Sequence, residues 1–370
     1  MKFHAIIPVF AAFLILFATT VAVAQETDTR PEEEVVRFGE KVHDFGDLLV
    51  SDKSVSCKFE FTNISKKPVV VHNVVSSCGC TVPEWTREPV RPGEKGAIEV
   101  TFKNDQGAYP FSKSITAYIS GVNRPVILHI KGVVYNKKLS LKEMYTNTIG
   151  GVLGTRETTL LIGNMFQGKT RSDATSIANL SKKPVKVEVV SDDPALTMTV
   201  VPNPIPAGQK ASLNYSINTK LGEKKWGKSE YLAQFVLDGK PADEKIKVVA
   251  NIADDFDGYT QAMKEKAPVP GFDKGYLDLN VIKKGTVIDH SIVVKNTGKS
   301  QLVIYKVDSD DGRTAILTNA PVKVAPGKKA EIKIKYDTSS QTGEFVSIVT
   351  LTTNSPLRPR LDFFINGIIE

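Results

Sequence analysis

The sequence predicts an all-β chain of three consecutive immunoglobulin-like β-sandwich domains behind an N-terminal signal helix. Three observations predict it. An Asn-led turn recurs three times, a Pro/Gly turn and an alternating strand follow each copy, and an apolar strand closes each repeat.

The turns are Asn63-Ile64-Ser65-Lys66-Lys67-Pro68-Val69, Asn179-Leu180-Ser181-Lys182-Lys183-Pro184-Val185 and Asn296-Thr297-Gly298-Lys299-Ser300-Gln301-Leu302, spaced 116 and 117 residues apart. Behind them come Pro92-Gly93-Glu94-Lys95, Pro206-Ala207-Gly208-Gln209-Lys210 and Pro326-Gly327-Lys328-Lys329, turns in which Pro and Gly fix the backbone. The strands that follow alternate, with Ile98, Val100 and Phe102, then Leu213, Tyr215 and Ile217, then Ile332, Ile334 and Tyr336 on one face. Period-two alternation marks a strand with one buried side. Closing strands fit Val126 to Val134, Ile246 to Ile252 and Leu361 to Ile369. Many short strands between Pro/Gly turns, in units of this size, read as sandwiches.

The first 24 residues differ. Lys2 precedes a charge-free run from Ala5 to Val23, and Ala22-Val23-Ala24 ends it as a small-x-small cleavage signal. That is the layout of a secretory signal peptide, with an uncleaved anchor as the alternative. The domains expected are a signal peptide at 1–24, a flexible acidic leader at 25–35 and a first sandwich at 36–136. A divergent second sandwich at 137–253, a linker at 254–269 and a third sandwich at 270–370 complete the chain. One short helix fits Tyr259 to Lys266. The second sandwich departs most from the pattern, because its opening carries Gly150, Gly151 and Gly154 without a clear counterpart in the first.

At 370 residues with 41% hydrophobic and 24% charged content, the chain can bury several cores. Its net charge of +7 falls to +6 once the signal is removed. The lysines cluster as pairs in the turns, where they keep strand ends soluble, so no nucleic-acid partner is expected.

The first repeat also carries His43-Asp44-Phe45-Gly46, Phe59-Glu60-Phe61-Thr62-Asn63, Ser77-Cys78-Gly79-Cys80-Thr81-Val82-Pro83, Arg91-Pro92-Gly93 and Ile130-Lys131-Gly132. In these it resembles the bacterial domain of unknown function family fifteen seventy-three, found in exported Bacteroidetes proteins and similar to major sperm protein and hydin-type sandwiches. The third repeat resembles it more weakly, with Val307 to Thr314 in place of the cysteine motif. The resemblance implies a sandwich fold and export, and brings no activity with it.

All three cysteines fall in the first repeat. Cys57 shares parity with Phe59 and Phe61 and should point into the core as a small hydrophobe. Cys78 and Cys80 flank Gly79 in a turn. Cys57 with Cys78, Cys57 with Cys80, and Cys78 with Cys80 are all open as disulfides, and the direct link would be easily reduced. Thiolates joined by His43 or His72 would suit copper or zinc, but a lone Cys-x-Cys lacks the second pair of a zinc ribbon.

Asp254 to Gly258 and Asp308 to Gly312 do not fit a calcium loop and read as solvated turns. No nucleophile elbow, phosphate loop or metalloprotease motif appears. Trp85, with Arg87 and Arg91, sits in a Pro-rich loop from Thr81 to Gly93, either as a partner contact or as a cap on its own sandwich. The Asn-x-Ser sequons at Asn63 and Asn179 are the repeat turn itself. The expectation is an exported, non-enzymatic binding or scaffolding protein of the periplasm or outer surface, without cofactor, contacting other envelope proteins and the membrane only through an uncleaved signal. The alternative is a thiol-redox or copper-binding protein acting through Cys78 and Cys80.

Overall fold

A computed structural model describes residues 29–370, so the signal segment and the start of the acidic leader lie outside the described residues. The strands follow the alternation of the sequence. Cys57, Phe59 and Phe61 are buried between exposed Lys58 and Glu60, for example. Burying each such side chain contributes about 1.5–3 kcal/mol.

The described strands form six sheets, in three successive pairs along the chain. In the first pair, one sheet runs β1 (Val36–Phe38), β3 (Ser54–Asn63), β6 (Lys95–Lys103), β5 (Thr81–Trp85). The other runs β2 (Val42–Leu49), β8 (Val126–Tyr135), β7 (Pro110–Ile119), β4 (Val71–Ser76). In the second pair, the sheets run β14 (Leu196–Val201), β15 (Lys210–Asn218), β12 (Thr170–Asn179), β10 (Leu153–Thr155), β9 (Asn147–Ile149), and β11 (Thr159–Phe166), β17 (Lys240–Ala253), β16 (Gly227–Leu237), β13 (Val187–Val190). In the third, they run β18 (Pro270–Phe272), β20 (Val287–Asn296), β24 (Lys329–Asp337), β22 (Thr314–Ile316), and β19 (Tyr276–Ile282), β26 (Arg360–Ile369), β25 (Gly343–Thr353), β21 (Leu302–Ser309), β23 (Val322–Val324).

Each pair shares a core. Phe102 stacks on Phe111 at 3.9 Å between the first two sheets. Leu213 and Tyr215 meet Phe235 and Val248 in the second pair, and Tyr336 and Ile292 meet Leu351 and Phe363 in the third. The second pair, whose opening gave no clear pattern in sequence, has a continuous core like the others.

The two repeated turns are one structure. Asn63, Asn179 and Asn296 are each fully buried at the end of a strand. Asn63 Nδ2 donates to Lys67 O and to Val90 O, both at 2.8 Å, while its Oδ1 accepts from the Ser65 N–H at 2.9 Å. Asn179 repeats this with Lys183 O, Ile205 O and the Ser181 N–H, and Asn296 with Ser300 O, Val324 O and the Gly298 N–H. The Asn63 and Asn296 carbonyls accept from Gly93 and Gly327, both at positive φ, so the Pro/Gly turn is clamped onto the Asn turn. A buried amide with its donors and acceptor satisfied costs little, and one left unpaired costs much. This is why the asparagine recurs, and burial removes the glycosylation reading of Asn63 and Asn179.

A short strand pairs with each asparagine: Val36 with Asn63, Leu153 with Asn179 and Pro270 with Asn296. The glycine-rich opening of the second pair therefore holds the counterpart that the sequence hid. A Cβ at Gly154 would stand 2.8 Å from Tyr145 Cβ and 2.9 Å from Leu180 Cδ1, so only glycine fits there.

Helices are short. α1 (Glu32–Val35) ends the acidic leader, and the carbonyl of buried Val35 accepts from the Ile64 N–H at 3.0 Å. This end of the leader is docked. α2 (Leu141–Met144) carries a Ser140/Glu143 capping box, and α3 (Gln261–Lys266) falls within the expected Tyr259 to Lys266 stretch.

By contact density the chain divides into two compact units. Of the described residues, one comprises 29–43, Asp52–Asp105 and Phe111–Ile130, and the other comprises Asp44–Ser51, Gln106–Pro110 and Lys131–Glu370. Most of β2 thus belongs to the second unit, where the Asp47 carboxylate is held by Arg156 and, at 2.9 Å, by Lys210. Also within that unit, Trp226 stacks on Tyr305 at 4.4 Å. Asp254, from the expected linker, accepts from both side chains at 2.9 and 2.8 Å.

Candidate functional site

In every pair the chain crosses from one sheet to the other through a short turn: β4 to β5, β13 to β14 and β21 to β22. The cysteine motif is the first of these. Cys78 and Cys80 are bonded to each other, with their Cα atoms 5.4 Å apart. Cys78 is half-buried and Cys80 is buried. The backbone anchors the turn on both sides, as the Ser77 N–H donates to Ser114 O at 2.9 Å and the Lys103 N–H to Cys80 O at 2.8 Å. Of the three pairings open in sequence, the direct one is formed, and it leaves Cys57 a buried thiol. Burial, with Glu40 and Glu99 nearby, pushes the Cys57 thiol up to about 12, so it is inert as a nucleophile.

Trp85 and its neighbours form the other half of this site. Trp85 is the last residue of β5, in strand where the sequence suggested a loop. The prolines misled: Pro83 sits on an edge strand, where proline is tolerated. The Trp85 indole N–H donates to Val71 O at 3.0 Å, reaching from the edge of one sheet to the edge strand β4 of the other. Next to it the Asn73 side chain accepts from the Val74 N–H at 2.9 Å. Arg87, exposed, lays its guanidinium 3.7 Å from the Trp85 ring centroid. Arg91 is exposed, and its backbone N–H donates to Glu94. The turn, the disulfide and the indole together close the open edge of this sheet pair.

The third crossing turn matches the first position by position. The Asp310 N–H donates to Ile348 O at 3.0 Å and the Asp337 N–H to Arg313 O at 3.0 Å, as Ser77 and Lys103 do in the first. Thr314 pairs with Tyr336 as Thr81 pairs with Phe102. Tyr336 stacks with Phe345 at 5.2 Å, as Phe102 does with Phe111. In the places of Cys78 and Cys80 stand Asp311 and Arg313, joined by a 2.7 Å Nε–H to Oδ2 hydrogen bond. Burial works against ionisation of Asp311, yet hydrogen bonds from Arg313 and Ser347 outweigh it and hold the carboxyl below its ordinary range. In the second turn Asp193 accepts from the Ala195 N–H at 2.9 Å and from Lys225 at 2.6 Å.

His43 pairs with Glu40 at 3.0 Å, and His72 is exposed. Among the described residues no group of three or more His, Cys, Asp or Glu side chains could hold a metal ion. No helix among them is long and apolar enough to cross a membrane.

Sequence reading missed two sheet faces. On β19, β26 and β25 of the third pair, Tyr276 opposes Phe364, which opposes Ile348, while Val281 opposes Ile368. Tyr276, Val281, Val346, Phe364 and Ile368 are all exposed, between 40% and 59%. The signal in sequence is the Phe363-Phe364-Ile365 run in β26, apolar in both strand phases. A smaller face lies on β4, β7 and β8, where Val75, Tyr118 and Ile127 are exposed between 44% and 51%.

The chain is similar to a protein of unknown function from Porphyromonas gingivalis W83, over 59% of this chain and 100% of that one, at 16% identity and a TM-score of 0.47. A three-immunoglobulin segment of titin is similar over 91% of this chain and 99% of its own, at 12% identity and a TM-score of 0.18. A C. elegans member of the MSP family is similar over 27% of this chain and 97% of its own, at 10% identity and a TM-score of 0.21. No curated protein matches the sequence. The family model described as Protein of unknown function (DUF1573) matches twice, over residues 36–134 and 271–369, and the chain belongs to that family.

Proposed function

We propose that the chain is an exported, non-enzymatic binding or scaffolding protein of the cell envelope, built as three tandem immunoglobulin-like sandwiches. One observation carries the reading: the exposed apolar face formed by Tyr276, Val281, Val346, Phe364 and Ile368. Scattered surface apolar residues are ordinary, whereas a contiguous group on adjacent strands marks an interaction surface. The signal-like N-terminus supports export. The contact lies on sheet faces and not at Trp85, whose indole already holds the Val71 carbonyl. Cys78 and Cys80 serve as a clamp on a crossing turn, the task that Asp311 and Arg313 perform in the third pair.

The test is site-specific photocrosslinking in the producing cells, with the reactive group at Val346 and, as a control, at exposed Lys137. Discrete adducts from Val346 and none from Lys137 are expected. No adduct from Val346, or equal labelling at both, overturns the reading.

A further inference from the structure

The stretch 254–269, expected as a linker, is not free chain. A flexible linker of that length would let its ends wander over about 20–24 Å. Instead it is held at both ends, within the second compact unit. Asp254 accepts from Trp226 and Tyr305, one from each sandwich, and Asp255 pairs with Lys169 at 3.6 Å. At the far end the carbonyls of Ala267, Pro268 and Val269 accept from the Lys299 N–H at 3.2 Å, the Ser355 hydroxyl at 2.7 Å and the Thr297 N–H at 2.9 Å. The repeat turn accommodates this path. Gly298 stands where Ser65 and Ser181 stand in the other two turns, and a Cβ there would run into the Ala267 carbonyl and the Val269 nitrogen.

Beyond the linker, the start of β16 meets β21 and β25. Asp308 Oδ2 accepts from the Lys228 N–H at 2.8 Å. Lys306 Nζ, 3.2 Å from the other Asp308 oxygen, donates to the Lys228 carbonyl. Two side chains of the third sandwich thus take both main-chain groups of one residue of the second. Gly227 sits at positive φ, and a Cβ on it would overlap the Asp308 carboxylate and stand 3.1 Å from Thr352 Oγ1. Thr352 lies in the same outward phase of β25 as Val346, yet it is 1% exposed where Val346 is 59%. The second sandwich therefore covers one end of the outer face whose other end is the exposed apolar group.

We propose that the second and third sandwiches are one rigid block, with a latch at residues 226–228 and 305–308 in place of a hinge at the linker. Domains that share a small polar interface ordinarily move against each other. Here the grip on both main-chain groups of Lys228 fixes position along β16. The stacked rings of Trp226 and Tyr305, tied by one carboxylate, fix rotation about it. The inference stands without the scaffold reading. Its consequence for that reading is that the apolar face of β19, β26 and β25 is carried at one fixed orientation to the second sandwich.

Double electron–electron resonance on the full exported chain tests this, with spin labels at exposed positions in β13 and β24 introduced as Val190→Cys and Glu331→Cys. Cys57 is buried and Cys78 is bonded to Cys80, so the label goes to the two new thiols. A single narrow distance is expected. Asp308→Ala and Trp226→Ala, each checked for unchanged circular dichroism, should broaden the distribution about twofold or more as the sandwiches come free. Asp308→Asn keeps an acceptor for the Lys228 N–H and should broaden it less than Asp308→Ala does. A parent distribution as broad as a free linker allows, about 20–24 Å, overturns the proposal. So does a distribution that stays narrow in both alanine variants, because the latch would then not be what holds the block. If Trp226→Ala does not fold, Asp308→Ala alone decides.

Discussion

In the first sheet pair the turn between β4 and β5 is bridged by a disulfide from Cys78 to Cys80, and in the third the turn between β21 and β22 is bridged by Asp311 and Arg313. Both bridges span residues i and i+2. Both sit between the same two backbone hydrogen bonds and over a stacked aromatic pair. What the position requires is a short link across the turn where the chain leaves one sheet for the other, and the chemistry of the link is free to vary. The difference teaches that a conspicuous cysteine pair need not be reactive. Its counterpart in the same chain fills the place with groups that have no redox chemistry.

The corner that the repeats share sets the scale against which these bridges are measured. Asn63→Ala and Asn296→Ala each remove two donations to main-chain carbonyls and one acceptance from a main-chain N–H. Leaving such groups unpaired costs about 1–3 kcal/mol for each one buried. Each variant should therefore lose about 3 kcal/mol or more in urea unfolding, the largest effect expected and similar in the two repeats. A loss in one repeat only would mean that the corners are not equivalent, and the comparison of their crossing turns would fall with them.

The two bridges should differ less than their chemistry suggests. A disulfide stabilises by restricting the unfolded chain, and over a sequence separation of 2 the chain-entropy relation gives only about 1–2 kcal/mol. Asp311→Ala strands a half-buried guanidinium and also removes the acceptor of the Arg313 N–H, at a cost of about 2–3 kcal/mol. Urea unfolding of Asp311→Ala and of Cys78→Ser/Cys80→Ser should rank them in that order. Grafting the pair as Cys78→Asp/Cys80→Arg should recover most of what the serine variant loses. A graft that unfolds while the serine variant stands would break the equivalence.

The repeat was legible in sequence because its turns use Asn, Pro and Gly, whose backbone demands are strong and local. That the two turns form one corner was not legible, since Asn63 and Val90 meet only through the fold. The strand Leu153–Thr155 was hidden because three residues with Gly154 at the centre show no alternation. At the crossing turn, sequence placed Val307 to Thr314 opposite the cysteine motif, but residue types alone did not say that Asp311 and Arg313 bridge as the cysteines do. Trp85 was visible as unusual, yet its reach to Val71 depends on two sheet edges standing side by side. The exposed faces went unseen because attention to the buried phase of each strand passes over apolar residues in the other phase.

The smallest effect separates the bridges by pH. The Asp311 carboxyl is held below its ordinary range in the folded chain. A group with a depressed folded pKa contributes stability that is complete above its unfolded value, about 3.9, and is lost as pH falls through the folded value. The ion pair therefore weakens only below about pH 4, whereas the disulfide, having no proton to gain, is unaffected there. Asp311→Asn should lower stability at neutral pH and flatten its decline between about pH 4 and pH 2, read from urea midpoints across that window. The Cys78→Ser/Cys80→Ser variant should keep the acid slope of the parent. If the two variants shared one slope, Asp311 would contribute no pH-dependent stability. The third turn would then be held by its backbone hydrogen bonds and aromatic stack, with the Asp311–Arg313 bridge incidental.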